Sequence, residues 1–264
     1  MKKVRLDQLV FDLGLTESRE RAKTTIMSGL VFVNGQRADK PGMQVAPDAN
    51  VEVKGEALPY VSRGGFKLEK ALKVFPIDVS GKHCIDCGAS TGGFTDVLLK
   101  NGAEKVYSVD VGYGQLAWSL RQDERVINME RTNIRYINPE QIPEPLDVAV
   151  MDLSFISIKL VLPAVCTILK DGADLVCLIK PQFEAGKEEV GKKGVVRDRS
   201  VHLSVINSVL EFAKGHSLSV MGLDYSPIKG PEGNREYLCY LKKGSFESDE
   251  IDVEAVVEAS HAKL

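Results

Sequence analysis

Hydrophobic residues follow a helical spacing at the start of the chain and a strand-like spacing soon afterwards. Leu6, Leu9, Val10 and Leu13 recur at intervals of three and four, which predicts a short amphipathic helix. Gly14 follows, and glycine is the usual residue just beyond a helix end. We therefore predict that the chain begins with a helix that packs one face against a small core.

A second helix and a hairpin are predicted next. Thr16 or Ser18 can cap the helix in SRERAKTTIMSG, whose apolar residues, Met27 among them, are predicted to face inward. Asn34-Gly35 then separates two strand-like segments, and this dipeptide favours a type I′ turn because both residues tolerate positive φ. VAPDANVEV adds a further strand, and together these elements predict a small α+β unit.

From about residue 60 onward, continuous apolar runs alternate with segments of helical spacing. This alternation predicts an α/β fold, with a parallel sheet covered by helices on both faces. Four apolar runs end in a charged residue: Asp86, Asp110, Asp152 and Lys180. Ligands of open α/β sheets bind outside the carboxyl ends of the strands. We therefore expect these four side chains to share one site.

A glycine-rich turn follows the first of these strands, in CIDCGASTGGFTDVLL. Its pattern, Gly88-x-x-x-Gly92-Gly93, differs from the G-x-G-x-x-G of dinucleotide folds and lacks the Gly-Lys-Ser/Thr end of a P-loop. The helix that begins here favours a carboxylate, and Asp110 follows Asp86 at a suitable distance for an acid that holds a ribose. S-adenosylmethionine has both groups and is favoured; NAD and a purely structural turn are the alternatives.

Composition agrees with a folded protein of one large domain or two smaller ones. The chain has 264 residues, of which 44% are hydrophobic and 27% charged. No apolar run approaches the roughly 18 residues of a membrane span, and Arg5, Asp7 and Asp12 interrupt the one segment that resembles a signal peptide. Five cysteines favour a reducing cytoplasm over a disulfide framework. Cys84 and Cys87 form a C-x-x-C, but no second pair is spaced to complete a zinc site, so no metal is expected.

Charge is unevenly distributed along the chain. Residues 244–264 contain six acids and one lysine, a net charge of −5, which leaves +2 on residues 1–243 out of the total of −3. An acidic tail therefore conceals a modestly basic body, which permits a polyanionic partner. Asp7, Asp12 and two glutamates are expected to make the surface of the first sixty residues less basic.

The residues around Asp152 discriminate between classes of methyl acceptor. Leu153-Ser154-Phe155 follows it, instead of the Pro-Pro-aromatic sequence of amino-group methylases, and the chain has no Pro-Cys of the kind that cytosine C5 methylases use. An aspartate beside Lys180 instead suits a hydroxyl acceptor, because a positioned lysine with a lowered pKa can serve as base for a ribose 2′-OH.

Two sets of motifs resemble known families. Residues 4–53, through SRERA and GLVFVNG, resemble the small RNA-binding module of ribosomal protein S-four. Residues 62–240 resemble the TlyA-type family of rRNA methyltransferases, once labelled hemolysins, whose catalytic domain is FtsJ-like. The motifs that carry this resemblance are SRGGFKL, DCGASTGGFTD, VDVGYGQLAW, RTNIR, DLSFIS, IKPQFE, GVVRD and GPEGNREY.

The resemblance implies an RNA-binding domain over residues 1–60 and a Rossmann-like, S-adenosylmethionine-dependent methyltransferase domain over residues 61–264. It implies 2′-O-methylation of ribose in ribosomal RNA, often at cytidine, with rRNA or ribosomal subunits as partners. A catalytic tetrad is implied at Lys67, Asp152, Lys180 and Glu236. Residues expected to bind the cofactor are Asp86, Gly88, Ser90, Gly92, Gly93, Phe94, Asp110 and Asn133. Residues expected to bind RNA are Arg5, Arg19, Lys23, Arg37, Lys40, Arg63 and Arg197.

Residues 183–198, FEAGKEEVGKKGVVRD, are expected to form a basic lid over the RNA, with a surface loop as the alternative. Three other functions stay open at this point: an RNA-binding protein whose methyltransferase domain is inactive, a membrane-active hemolysin, and a nicotinamide enzyme. The absence of a membrane span and of a strongly amphipathic basic helix disfavours the hemolysin.

Overall fold

The computed structural model of the chain describes residues 3–54, 58–247 and 250–264. The predicted domain boundary near residue 60 therefore follows a segment, 55–57, that lies outside the described residues, as do residues 248–249 of the acidic tail.

The amino-terminal part folds around its own small core. The predicted hairpin is confirmed, with φ of 51° at Asn34 and 79° at Gly35. Ser18 caps the second helix by accepting a hydrogen bond from the backbone N–H of Arg21, and Gly14 has the positive φ of a residue beyond a helix end. Met27 is exposed, contrary to prediction, because it lies on the last turn of its helix, away from the core. The helices are α1 (Leu6–Asp12) and α2 (Arg19–Met27), and the strands are β1 (Val4–Arg5), β2 (Val31–Val33), β3 (Gln36–Ala38), β4 (Gln44–Val45) and β5 (Val51–Val53).

The remainder forms a seven-stranded sheet with helices on both faces, which confirms the predicted α/β class. The sheet strands are β6 (His83–Cys87), β7 (Lys105–Val109), β8 (Val126–Met129), β9 (Leu146–Met151), β10 (Leu169–Ile179), β11 (Leu218–Tyr225) and β12 (Tyr237–Lys243). The helices are α3 (Gly65–Val74), α4 (Gly93–Lys100), α5 (Trp118–Arg121), α6 (Leu162–Cys166), α7 (Pro181–Glu184), α8 (Arg199–Lys214) and α9 (Val253–Lys263).

The strand order is β11-β12-β10-β9-β6-β7-β8, and the five strands from β10 to β8 are parallel. β12 runs antiparallel to β10, and β11 antiparallel to β12, so the sheet is mixed rather than wholly parallel as predicted. Successive residues of β6 enter two different cores: Cys84 packs with α3 and α4, and Ile85 packs with α6 and α8. Burial on both faces explains the continuous apolar runs.

Part of the acidic tail is a packed helix. α9 lies against α8 and β11, and Val257 on its inner face is buried. The acids of this segment therefore occupy the outer side of an amphipathic element, as the sequence pattern alone did not reveal. Within the described ranges, no helix is long and apolar enough to cross a membrane.

Candidate active site

Sheet topology brings the four predicted tetrad residues to one edge. Asp152 directly follows β9 and Lys180 directly follows β10. β12 is antiparallel to β10, with Tyr237 opposite Ile179, so Glu236 at its start lies beside Lys180. Lys67 enters from the first turn of α3. Parallel strands share their carboxyl edge, and the single reversal at β12 adds a fourth residue from far along the chain.

The four side chains form one connected ion-pair cluster. Lys67 Nζ lies 3.1 Å from Asp152 Oδ2 and 2.6 Å from Glu236 Oε2. Lys180 Nζ lies 2.6 Å from Asp152 Oδ1 and donates a hydrogen bond to Ser154 Oγ at 3.2 Å. Asp152 is thus shared by two lysines, one at each oxygen. The side chains of Lys67, Lys180 and Glu236 are less than a tenth exposed, and that of Asp152 is 20% exposed.

Burial and ion pairing act in opposite directions on this cluster. Burial alone would lower the pKa of Lys67, but the carboxylates of Asp152 and Glu236 offset it and hold the pKa above its ordinary value. Burial alone would raise the pKa of Asp152, and the two lysines lower it below its ordinary value. Lys67 and Asp152 are therefore firmly ionised.

The glycine turn after β6 is held tightly against its neighbours. At Gly88, with φ of 86°, an added Cβ would lie 3.0 Å from the carbonyl oxygen of Asp152. At Gly93 it would lie 2.3 Å from Ser62 Oγ and 3.0 Å from the backbone nitrogen of Gly65. The amino termini of α3 and α4 therefore meet beside the cluster, which a larger residue at either glycine would prevent.

Two cavities adjoin at this edge and share Gly88, Ser90, Asp152 and Ser154. The larger, about 470 Å³, is also lined by Asp110, Asn133 and Phe155. The smaller, about 210 Å³, is lined by all four tetrad residues together with Asp86, Gly93 and Phe94. Seven of the eight predicted cofactor residues thus line one continuous concave region next to the tetrad. Gly92 is the exception: its φ of 95° and an added Cβ 2.3 Å from Leu120 show that it accommodates α5.

Asp86 is not a strand-end residue as predicted, because β6 continues to Cys87. Its Oδ2 accepts hydrogen bonds from the backbone N–H of Thr95 at 2.9 Å and from Thr95 Oγ1 at 2.7 Å. Its Oδ1 is buried without a hydrogen-bond partner among the described residues. Burial raises the pKa of Asp86 to about 7, which the bonds from Thr95 only partly oppose, and the negative charges of Asp152 and Asp110 raise it further.

Asp110 directly follows β7, as predicted, and braces the turn. Its Oδ2 accepts the backbone N–H of Ser90 at 2.8 Å, and its Oδ1 accepts that of Gly112 at 2.7 Å. Asn133 caps a short 3₁₀ helix by accepting the backbone N–H of Arg135. Both side chains line the larger cavity.

Most of the basic residues predicted to bind RNA are exposed. Arg5, Arg19, Lys23, Arg37, Lys40 and Arg197 are exposed, and Arg63 is half-buried with one guanidinium nitrogen donating to the backbone oxygen of Lys229 at 3.3 Å. In the predicted lid, the N–H of Val196 donates to Asn234 Oδ1, which ties its end to the segment before β12.

The sequence analysis did not identify Phe155 as a site residue, and it placed Asp7 at the surface. Phe155 is 92% exposed with φ of 64°, and its ring centroid lies 5.2 Å from that of Phe183 beside Lys180. Its position three residues after Asp152 is the feature of the sequence that could have identified it. Asp7 was assigned to the surface, but it is fully buried because Arg5 and Arg19 cover its carboxylate.

Comparison with known proteins places this arrangement in context. Residues 60–243 match the family model described as FtsJ-like methyltransferase, and residues 4–51 match the S4 domain. The chain is 51% identical to "Putative rRNA methyltransferase YqxC" of Bacillus subtilis, over 100% of this chain and 96% of that protein. It is 45% identical to the 16S/23S rRNA (cytidine-2′-O)-methyltransferase TlyA of Mycobacterium tuberculosis, over 91% of this chain and 90% of that protein.

A solved structure titled "Putative hemolysin from Streptococcus thermophilus" is 49% identical and covers 100% of this chain and 97% of its own, with a TM-score of 0.80. The FtsJ-like match covers residues 60–243, which is more than half of the chain. The chain belongs to the family of FtsJ-like methyltransferases.

Proposed function

We propose that this protein transfers a methyl group from S-adenosylmethionine to a ribose 2′-OH of ribosomal RNA, at cytidine. The observation that carries the proposal is the buried Lys67–Asp152–Lys180–Glu236 cluster, which opens onto the concave region beside the glycine turn. The Mycobacterium tuberculosis relative is named for this chemistry on 16S and 23S rRNA, which supports the same substrate class here.

The residues around the glycine turn fit S-adenosylmethionine, which supplies an electrophilic methyl group when bound. The unpartnered Oδ1 of Asp86 can accept a hydrogen bond from the ammonium of the methionine part. The amino termini of α3 and α4 favour its carboxylate. Asp110 would hold the ribose hydroxyls, and Asn133 would reach the adenine. Asp86, Gly64 and Gly93 line the smaller cavity, and Asp110 and Asn133 line the larger one.

The tetrad would prepare the hydroxyl that receives the methyl group. A ribose 2′-OH is a weak nucleophile, so a base positioned beside it lowers the barrier to attack. Lys180 would accept the hydroxyl proton at Nζ as the oxygen attacks the methyl group, whose bond to the sulfur of the donor breaks, and Asp152 would hold the amine in place. Lys67 and Lys180 share Asp152, each at one of its two carboxylate oxygens. Glu236 would keep Lys67 in position.

The exposed ring of Phe155 supports the proposal that a nucleotide is the substrate that binds beside Lys180. Phe155 is 92% exposed beside the tetrad, and its left-handed backbone conformation is one that residues other than glycine rarely adopt. Aromatic side chains stack on unpaired bases at about 1–3 kcal/mol per base. We propose that Phe155 stacks on the base of the target nucleotide once it has left its helix, and that Phe183 backs it. Phe155→Ala should then raise the KM for RNA about 5- to 100-fold. Phe155→Tyr keeps an aromatic ring and should have a KM close to that of the wild type.

The remaining basic residues would position the RNA rather than select its sequence. Exposed arginines and lysines contact phosphates, which fixes orientation and gives salt-dependent affinity. Arg5, Arg19, Lys23, Arg37 and Lys40 would serve in the amino-terminal module. Arg63 and Arg197 would serve beside the active site. An enzyme that acts on ribosomal RNA is expected in the cytoplasm.

The test is to map 2′-O-methyl groups in ribosomal RNA from cells with and without the gene. A methylation site that disappears in the deletion strain should be restored in vitro by the purified protein with S-adenosylmethionine. Asp110→Ala should weaken cofactor binding about tenfold or more, since it removes a charged acceptor, while NAD should bind neither protein. Identical maps would contradict the proposal, and binding of rRNA without methyl transfer would indicate an inactive RNA-binding protein.

A further inference from the structure

The amino-terminal module contains a buried carboxylate that no cofactor or tetrad residue contacts. Asp7, on α1, is 0% exposed. Its Oδ1 and Oδ2 accept hydrogen bonds from Arg5 Nε at 3.0 Å and Arg5 Nη2 at 2.9 Å. Arg19, on α2, donates to the same two oxygens from Nε at 3.3 Å and Nη2 at 3.4 Å. One carboxylate thus holds two arginines from different elements.

Among the described residues, both arginines keep donors that Asp7 does not occupy. Each guanidinium has five N–H groups, and the contacts with Asp7 occupy one on Nε and one on Nη2. The side chains of Arg5 and Arg19 are 47% and 43% exposed. Because both are bound to the same carboxylate, their free donors lie near each other at the surface. Two adjacent guanidinium groups of this kind can donate hydrogen bonds to the oxygens of one phosphate.

We propose that Asp7 is a positioning residue for RNA binding: it fixes Arg5 and Arg19 as a preformed pair that receives a backbone phosphate. This rests on the proposed RNA substrate. Free arginine side chains lose rotamer freedom when they bind, and a side chain already held in place loses less. Asp7 therefore increases affinity for a polyanion although its own charge is negative.

The negative charge of Asp7 makes the proposal easy to test. If Asp7 acted only through its charge, Asp7→Asn would remove a negative charge from the binding module and tighten RNA binding. If it positions the arginines, the same change should weaken RNA binding about tenfold, because both guanidinium groups lose the carboxylate that holds them. Asp12→Asn is the matched control. Asp12 is exposed at the other end of α1, accepts from Gln8, and contacts neither arginine within the described residues.

The experiment measures binding of purified small- and large-subunit rRNA to the full-length wild type and to Asp7→Asn, Asp7→Glu and Asp12→Asn at two salt concentrations. Thermal melts verify that each variant is folded at the assay temperature, and methylation assays separate KM from kcat. We expect Asp7→Asn and Asp7→Glu to raise the Kd and the KM about tenfold, with little change in kcat. Asp12→Asn should bind as wild type or slightly more tightly.

Wild-type or tighter binding by folded Asp7→Asn would overturn the positioning role and leave the proposed function intact. If Asp7→Asn does not fold, Asp7→Glu decides by the same criterion, because it keeps the charge and displaces the carboxylate by one methylene. A wild-type protein without salt-dependent rRNA binding would overturn both this inference and the proposed substrate.

Discussion

The amino-terminal module and the active site each contain a buried aspartate shared by two cations. Asp7 is shared by Arg5 and Arg19, and Asp152 by Lys67 and Lys180. The arginines are about half exposed, whereas the lysines are almost completely buried. The two sites thus share the arrangement of one aspartate between two cations; they differ in the identity and burial of the cations and in Glu236, a second carboxylate in the active site.

This difference indicates what each cluster can do. A guanidinium stays protonated near neutral pH and presents several donors in fixed geometry, so an exposed arginine pair suits a phosphate. A buried amine can take part in proton transfer, which is the role proposed for Lys180, whereas Lys67, whose pKa is held above its ordinary value, stays charged. In both sites the aspartate has a pKa below its ordinary value: burial raises it, and the neighbouring cations lower it by more.

The largest effect is expected from replacing Lys180. If it accepts the 2′-OH proton, Lys180→Ala should reduce the single-turnover rate of methylation by about 10²–10⁴-fold, with cofactor binding nearly intact. Lys180→Arg should not rescue the rate, because a guanidinium cannot accept the proton. A full single-turnover rate in Lys180→Arg would exclude the base and leave electrostatic steering as the role of this residue.

Removing Lys67 should lower the stability of the protein as well as its activity. Lys67→Met leaves Glu236, which is 1% exposed, without the cation that lies 2.6 Å from it. Breaking a buried ion pair costs about 3–5 kcal/mol, whereas Arg19→Gln at the exposed cluster should cost less than about 1 kcal/mol. Urea titrations of both variants measure the contrast. Equal costs in the two variants would refute the comparison.

The exposed arginines should instead control the salt dependence of RNA binding. Removal of one cation that binds a phosphate reduces the steepness of log Kobs against log salt by about 0.9 on a B-form duplex and by about 0.7 on a single strand. Arg5→Gln combined with Arg19→Gln should therefore lower the slope by up to about 2. Arg125→Gln, in which a guanidinium paired with Asp123 is removed from the other domain, is the matched control. An unchanged slope in the double variant would mean that other residues bind the phosphates.

Asp86 sharpens the comparison because it is a buried aspartate that contacts no cation within the described part of the chain, and burial raises its pKa to about 7. A raised pKa means that the protonated form favours folding, so this contribution is complete below about pH 4 and is lost as the pH rises through about 7. Binding of a cationic ligand depends on pH in the opposite direction, because the ionised carboxylate of Asp86 binds a cation better than the neutral form does. S-adenosylmethionine affinity, measured by calorimetry, should rise by up to about eightfold between about pH 6 and 7.5, and Asp86→Asn should abolish the rise. A rise that persists in Asp86→Asn would assign the titration to another group.

Sequence patterns identified most of the elements and the residues that carry charge. The Asn34-Gly35 turn, the cap at Ser18 and the runs that end at Asp110, Asp152 and Lys180 were all predictable, because turn chemistry and continuous burial are local properties of the chain. Glu236 was assigned only through family resemblance, since nothing in its immediate sequence connects it with Lys67.

Tertiary structure decided which of these charges are buried and what they touch. The antiparallel course of β12 brings Glu236 to Lys67, and the packing of α1 against α2 places Asp7 beneath two arginines rather than at the surface. It also left Phe155 exposed beside the tetrad and extended β6 past Asp86. Sequence by itself determines local conformation and which residues can be charged, because propensity and periodicity act over a few residues. Solvation, pairing and pKa depend on neighbours that are distant in the chain, and only the folded arrangement specifies them.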